Sequence, residues 1–181
     1  MGTRISRIVL GIISVVLIVS ILLSVTGFLI VRRSFPSVSG TMKTAGLQGP
    51  VDIYRDGFGT PHIYATTQHD LYFAQGFVHA QDRFWQMDFW RHLGSGRLSE
   101  MFGESQLETD IFLRRLGWRR VSEQELNALD DESLEILEAY AQGVNAYMAD
   151  HRGVALSLEY AILKLLNAGY QPEAWQPLHS L

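Results

Sequence analysis

The sequence predicts a mostly helical α+β domain that is preceded by one transmembrane helix. Three observations support this prediction: an uncharged apolar run near the amino terminus, two short strand-like runs around a glycine-containing loop, and four or five segments with apolar residues at helical spacing. Two strands alone do not form a stable sheet. We therefore expect the amphipathic faces of this domain to have partners outside the chain.

The apolar run is Ile8–Val31, and its 24 residues exceed the roughly 20 that cross the hydrocarbon core of a bilayer. A secretory signal peptide has a shorter apolar region, of ~7–15 residues, and a small-residue cleavage site. Residues 26–33 contain no Ala-x-Ala pattern, and the polar stripe of a soluble core helix is missing. The sequence therefore predicts a membrane anchor at residues 1–33, spanning at about residues 8–31, with a cleaved signal as the alternative.

Residues 34–50 are rich in Ser, Gly, Pro and Thr, which is typical of a linker. Residues 51–181 follow as one domain. Its first elements are two predicted strands, Val51–Arg55 and His62–Ala65, which form a hairpin around a glycine-containing loop. Asp70 is predicted to cap the helix that follows, and two glycines are predicted to end that helix, Gly94 and Gly96.

The rest of the domain is predicted to be helical. Residues 108–116 form a short helix, and Ser122 begins a capping-box-like sequence that predicts the start of another. Asp131–Asp150 is the clearest amphipathic helix, with apolar residues at i, i+3 and i+4. A further helix is predicted at Ala155–Leu166, and an irregular tail follows from Tyr170.

Charge and cysteine content exclude several kinds of partner and site. The formal net charge is −4, and four of the 15 basic residues flank the apolar run, so the rest of the chain is strongly acidic. These four are Arg4, Arg7, Arg32 and Arg33. An acidic body argues against nucleic acid as a partner, because phosphate binding requires a basic face. The chain has no cysteine, which excludes disulfides and thiolate metal ligands.

Gln75–Asp88 is the most unusual segment, because hydrogen-bonding side chains alternate there with large aromatic ones. This composition predicts a helix that is buried on most sides, in which each polar group needs a partner. We expect Asp82 and Arg83 to form a buried structural ion pair rather than an acid–base pair. His79 is predicted to be a hydrogen-bonded core histidine.

Several other residues that can take part in catalysis or binding are also expected to have structural roles. Asp88 and His92 have i, i+4 spacing, which predicts a contact on the helix surface. The six histidines show no metal-binding spacing, so no metal site is predicted. The four tryptophans are expected to anchor the core: Trp85, Trp90, Trp118 and Trp175.

Five motifs in one order resemble the penicillin acylase (penicillin amidase) family of N-terminal-nucleophile hydrolases. The first two are Tyr54–Ala65, similar to the family's R-D-x-x-G-x-P-H-I-x-A hairpin, and Ala80–Met87, similar to its A-Q-D-R-x-[FW]-Q-M core. The other three are Gly96–Gly103, Tyr140–Tyr147 and Trp175–Pro177. An ordered set of motifs is much more specific than any one of them.

The resemblance implies a fold, a reaction and a partner. Family members build a four-layer αββα sandwich from an α-chain and a longer β-chain, which arise by self-cleavage of a precursor. The new amino-terminal Ser, Thr or Cys of the β-chain attacks an amide carbonyl, and its α-amine accepts the proton. This chain resembles only the α-chain side. It is therefore expected to contain no catalytic residue and to be inactive without the β-chain.

By the same resemblance, the complete protein is expected to be an amidohydrolase of acylated amines, such as β-lactam side chains or acyl-homoserine lactones. The substrate-binding residues are unknown, because the family's pocket positions follow the Trp-x-Pro motif. No cofactor is expected, although some complete family members hold a structural calcium. Family members are typically exported, which places the body on the periplasmic or extracellular side of an anchoring bilayer. The alternative is a membrane-tethered, non-enzymatic helical interaction module.

Overall fold

The structure is a computed structural model that describes residues 2–181, with the side chains of residues 7 and 9–181. Its first helix, α1, is Gly2–Arg33. Within α1, Val9–Arg33 is long and apolar enough to cross a membrane: its mean hydropathy is 2.8 and none of it is buried against the body. Signal sequences have the same properties, so α1 is a candidate span. The predicted flanking Arg4 and the first apolar residue, Ile8, lie outside the described side chains.

The predicted hairpin is present, with each strand within one residue of its predicted bounds. Strand β1 is Asp52–Arg55, β2 is Pro61–Tyr64, and the two pair antiparallel with Asp52 opposite Tyr64. The Asp56 carboxylate accepts hydrogen bonds from the backbone N–H groups of Phe58 and Thr60, both at 2.9 Å, and these fix the loop. Across residues 2–181 these two strands are the whole sheet.

Helix α2 is Gln68–Ser95, and its amino-terminal cap is Thr67, whose hydroxyl accepts from the backbone N–H of Asp70. The predicted cap, Asp70, was therefore wrong. Its fully buried carboxylate instead accepts from Gln48 N (2.8 Å) and Gly49 N (2.9 Å), which attaches the linker to the body. A carboxylate can accept several N–H bonds, and here the linker supplied donors that local sequence could not reveal. Of the two glycines predicted to end the helix, Gly94 lies inside it, and Gly96 ends it in the left-handed conformation.

Four helices follow before the last helix and the tail. Helix α3 is Leu98–Phe102, α4 is Leu107–Leu116, α5 is Trp118–Ala128 and α6 is Asp131–Asp150. The prediction for α6 is confirmed at both ends, but the predicted start at Ser122 is wrong. Ser122 lies inside α5, where its hydroxyl donates to the carbonyl of Trp118 one turn earlier.

The predicted helix at 155–166 divides into two elements. A 3₁₀ turn at Gly153–Ala155 precedes helix α7, Glu159–Leu166. The other 3₁₀ turns are Glu104–Gln106, before α4, and Pro177–Ser180, in the tail.

The core forms where α2 crosses α6, and two glycines permit this crossing. A Cβ atom at Gly143 would lie 1.8 Å from the carbonyl oxygen of Phe73, and one at Gly76 would lie 2.1 Å from that of Tyr140. The two helix backbones therefore touch directly. Around this contact lies one apolar cluster whose largest buried members are Phe84, Met101, Tyr147, Tyr160 and Trp175.

Only two of the four tryptophans occupy the core position that was predicted for all of them. Trp175 is buried, and Trp85 packs edge-on against Tyr160 with ring centroids 5.2 Å apart. Trp90 and Trp118 were predicted wrongly, since 56% and 48% of their surfaces are exposed. Both lie on helix faces that no other described element covers.

Candidate functional site

The polar side chains of α2 form two groups, one on each side of a break in the helix at Arg83. The first group, which we call the hairpin cluster, consists of Arg55, Gln81 and Asp82. The Arg55 guanidinium donates to both carboxylate oxygens of Asp82, at 2.8 and 2.9 Å, and to Gln81 Oε1 at 2.8 Å. A paired arrangement of this kind fixes the angle between guanidinium and carboxylate. The cluster therefore holds the hairpin against α2.

The predicted buried ion pair between Asp82 and Arg83 is wrong. Arg83 is exposed, and its backbone leaves the helical region (φ −142°, ψ 20°), while Asp82 pairs with Arg55. Residues i and i+1 of a helix do not face each other, so adjacent charges rarely pair. Arg83, Gln81 and Asp82 instead line a cavity of about 500 Å³ that is shared with Ser34 and Ser157.

The second group, the Asp88 cluster, consists of Asp88, Arg91, His92, Tyr160 and Tyr170. Arg91 Nε donates to Asp88 Oδ1 at 2.8 Å, and both tyrosine hydroxyls donate to Asp88 Oδ2, at 2.5 and 2.7 Å. The Asp88 and Arg91 side chains are 0% and 1% exposed. Asp88 and Arg91 therefore form a buried ion pair, whose aspartate is six residues and whose arginine is eight residues beyond those predicted.

The contact predicted between Asp88 and His92 exists, but its predicted place on the surface is wrong. His92 is 2% exposed, and its Nδ1 lies 2.8 Å from the carbonyl oxygen of Asp88. Its Nε2 lies 3.3 Å from the Tyr170 hydroxyl. This face of α2 is covered by α7 and by the segment around Tyr170, which the spacing within α2 could not indicate.

Burial opposes ionisation of Asp88, but the hydrogen bond from His92, the charge of Arg91 and the two tyrosine hydroxyls outweigh it, so the pKa is lowered. Burial, followed by the Asp88 charge, raises the pKa of both Tyr160 and Tyr170. The cluster is therefore an ionised carboxylate surrounded by donors. A carboxylate in this state does not act as a general acid.

The described side chains contain no arrangement typical of a nucleophile or a metal centre. No Ser or Thr hydroxyl among them is hydrogen-bonded to a histidine, and no group of three or more His, Asp or Glu could hold a metal ion. His79, predicted to lie in the core, is exposed, although the predicted hydrogen bond is present, to the Tyr140 hydroxyl at 2.9 Å. The clusters on α2 hold segments of the chain against one another.

Two polar residues of structural importance were not predicted. Asp110 is 2% exposed and accepts from Leu98 N (2.7 Å), Ser99 N (2.8 Å) and the Ser99 hydroxyl, so it caps the start of α3 from a distance in sequence. Asn145 pairs twice with the backbone of Trp175, at 2.7 and 2.9 Å. An amide in the middle of an amphipathic helix is a weak signal that could have identified Asn145.

The five sequence motifs contact one another in the structure. Arg55 of the first motif holds Asp82 of the second, and Asn145 of the fourth holds Trp175 of the fifth. Arg97, in the third motif, pairs with Glu173 at 2.7 Å, two residues before Trp175. Polar contacts thus join the first motif to the second, and join the third and fourth motifs to the segment around Trp175. Residues 50–181 also match the family model described as Penicillin amidase.

The chain belongs to the penicillin amidase family. It is 43% identical over 150 residues to the penicillin acylase 2 proenzyme of a Pseudomonas species, a match that covers 83% of this chain and 18% of that protein. It is 39% identical over 144 residues to the acyl-homoserine lactone acylase QuiP of Pseudomonas aeruginosa, covering 80% of this chain and 16% of that protein. The chain therefore spans less than a fifth of the length of these relatives.

A solved member of the penicillin amidase family has a similar fold. The thermostable penicillin G acylase from Alcaligenes faecalis superposes with a TM-score of 0.59 at 27% sequence identity, covering 72% of this chain and 68% of that one. The family resemblance predicted from the motifs is therefore confirmed, as is the mostly helical character with a small sheet.

The environment of His179, in the tail of the domain, predicts that the stability of the protein depends on pH. His179 packs edge-on against Trp175, and its Nδ1 accepts from the backbone N–H of Gln176 at 3.0 Å, which requires a neutral ring nitrogen. Burial and the charge of Arg91 lower the pKa of His179 to about 4 from its usual 6.5. Between pH 4 and 6.5 the unfolded chain therefore binds one more proton than the folded chain, so stability rises with pH in this window.

We expect His179→Gln to reduce the slope of unfolding free energy against pH between 4 and 6.5, by at most about 1.4 kcal/mol per pH unit. Below about pH 4 both proteins should lose stability. The pKa of Asp88 is lowered in the folded chain, so ionised Asp88 contributes fully to stability above the usual aspartate pKa of 3.8, and this contribution is lost as the pH falls below it. Urea titrations at several pH values measure both effects. An unchanged slope in the variant would show that His179 is not the titrating group.

Proposed function

We propose that this chain is the amino-terminal part of an acylase proenzyme that hydrolyses the amide bond of an acylated amine. The observation that carries the proposal is the 43% identity to the penicillin acylase 2 proenzyme across most of the chain. The substrate class is a β-lactam side chain, an acyl-homoserine lactone or a similar acylated amine, because relatives are named for both.

The reaction in this proposal needs a nucleophile, which we place outside residues 2–181. An amino-terminal Ser, Thr or Cys has an α-amine with a pKa of ~7.7–8.0, which suits it to accept the proton of its own hydroxyl or thiol. We assign this residue, and the donors that stabilise the oxyanion, to a β-chain segment of the same precursor. The lengths of the relatives support a division of the precursor into two chains. This chain matches 18% of the penicillin acylase 2 proenzyme but 68% of a single chain of the solved penicillin G acylase.

In this proposal the residues of the chain provide a scaffold. Residues 51–181 form part of the α-chain domain, and residues 34–50 link it to the anchor. The hairpin has large exposed aromatic side chains, which indicates that its sheet is incomplete in this chain. Tyr54 and Tyr64 are each 61% exposed, and Phe58 is 97% exposed. We infer that the β-chain covers them and completes an αββα sandwich. A structural calcium, where a complete family member holds one, belongs to that assembly.

We further propose that α1 remains attached as a membrane anchor, with the body on the periplasmic or extracellular side. The length of the apolar run and the absence of an Ala-x-Ala pattern in residues 26–33 support retention. The arginines are evenly divided between the two ends of the run, so the orientation rests on the family's usual export. The alternative of a non-enzymatic module is not favoured, because the relatives are named as acylases.

We expect the 181-residue chain alone to hydrolyse no phenylacetyl-, glutaryl- or long-chain-acyl amide above the buffer rate. The product of the complete gene should cleave itself and hydrolyse at least one of them. Product release measured by chromatography, with processing followed by mass, tests both. Turnover by the short chain that disappears on an internal Ser→Ala change would contradict the assignment of the nucleophile. A complete product that neither processes nor hydrolyses would favour the interaction module.

A further inference from the structure

Helix α7 has apolar residues on two opposite faces. Tyr160 and Leu163 point into the core, and are 5% and 3% exposed. On the opposite side lies what we call the outer face of α7: Ile162, Leu165 and Leu166, which are 62%, 86% and 71% exposed. Their i, i+3 and i+4 spacing places them side by side on the helix. Single exposed aliphatic residues are common, but a contiguous group on one face indicates an interaction site.

The start of α7 lies near the end of the anchor helix α1. Ser34 and Pro36, which follow α1 directly, line the same cavity as Ser157 and Glu159 at the start of α7. The preceding 3₁₀ turn, Gly153–Ala155, also lies against α1. An eight-residue helix is about 12 Å long. The outer face therefore begins, at Ile162, within one turn of the end of α7 that lines this cavity.

The surroundings of this point have the chemistry of a membrane interface. Phe35 and Val38, on the linker, are 71% and 56% exposed. Exposed cations also occur in this part of the chain: Arg32 and Arg33 at the end of α1 and Arg152 before the 3₁₀ turn. Lys164 is also exposed, but it lies one turn after the buried Tyr160, away from the outer face. Exposed apolar side chains flanked by Lys and Arg are typical of segments that lie in the headgroup region of anionic bilayers.

We propose that the outer face of α7 lies in the interface of the lipid bilayer, so that the body is docked on the membrane as well as tethered to it. The inference rests on the proposal that α1 is a retained anchor. Three aliphatic side chains form a small surface, but the tether keeps them close to the bilayer, which raises their effective concentration there.

The absence of cysteine allows a direct test, because one introduced cysteine gives a single label. The full chain carrying Leu165→Cys is synthesised in a cell-free system with vesicles of phosphatidylcholine and phosphatidylglycerol, and labelled with an environment-sensitive fluorophore. We expect emission at short wavelength and quenching by lipids that carry a spin label ~5–10 Å below the headgroups. The matched control is Val121→Cys on α5, an exposed aliphatic position, at which quenching should be absent.

Adding Ile162→Ser and Leu166→Ser to the Leu165→Cys chain should reduce quenching to the level of the control, and these exposed changes leave the core intact. Short-wavelength emission without lipid quenching would overturn the inference, because the face would then contact protein. Equal quenching at positions 165 and 121 would also overturn it. Carbonate extraction of the same vesicles tests α1 separately. If the chain resists extraction while the label at position 165 remains in water, only docking is refuted. If the chain is extracted, the anchor itself is refuted.

Discussion

Replacement of Gly143 by alanine should prevent the body of this protein from folding. The added Cβ would lie 1.8 Å from the carbonyl oxygen of Phe73 and 2.9 Å from the backbone nitrogen of Phe77. Both neighbours are backbone atoms of α2, so relief requires the two helices to move apart rather than a side chain to rotate. Overpacking of a core costs about 1–3 kcal/mol when side chains can adjust, and we expect a larger loss here.

The matched control is Gly94→Ala, because Gly94 lies inside α2 with nothing within 4 Å of its added Cβ. Alanine is favoured over glycine in a helix by about 0.5–1 kcal/mol, so this variant should be slightly stabilised. Urea unfolding followed by circular dichroism, with the chain in detergent micelles, measures both. A Gly143→Ala protein with the same midpoint as Gly94→Ala would show that α2 and α6 do not touch at these glycines.

Replacement of Asp88 by alanine should destabilise the body by about 3–5 kcal/mol. The change leaves the Arg91 guanidinium, whose side chain is 1% exposed, without its counter-charge, and leaves the hydroxyls of Tyr160 and Tyr170 without their acceptor. Most single-domain proteins are stable by only about 5–15 kcal/mol, so the loss is a large part of the total. Urea unfolding and the yield of folded protein are the measurements.

Asp82→Ala is the comparison, since Asp82 also pairs with an arginine but has a 27% exposed side chain. Ion pairs in contact with solvent contribute about 0–1 kcal/mol, so this variant should lose much less stability. The double change Asp88→Ala with Arg91→Leu should recover part of the loss, because no buried charge then lacks a partner. In the complete proenzyme, Asp88→Ala should lower processed yield rather than turnover per processed molecule. Normal folding with lost turnover would make Asp88 catalytic and contradict its scaffold role.

These two variants differ in what the sequence could reveal about them. Gly143 lies in the motif Tyr140–Tyr147, and helical periodicity predicted α6 at both of its observed ends. The sequence could not show which backbone this glycine faces, since Phe73 is 70 residues away along the chain. Asp88 was assigned to the helix surface, because only local spacing was available to judge it.

The hairpin, the glycine that ends α2, both ends of α6 and the family could be determined from the sequence itself. Turn residues between alternating runs predicted the hairpin, a glycine with positive φ ends α2, and five ordered motifs identified the family. These features depend on neighbours a few residues apart, whose chemistry is visible in the sequence.

Which polar groups are buried was decided only by the tertiary structure. Asp88 is buried because Tyr160 and Tyr170, 72 and 82 residues away, cover it and donate to it. Asp82, Arg83 and His79 have the same local composition but face the surface. The burial of a polar side chain depends on whether distant segments supply both cover and hydrogen-bond partners, and periodicity within one helix contains no information about either.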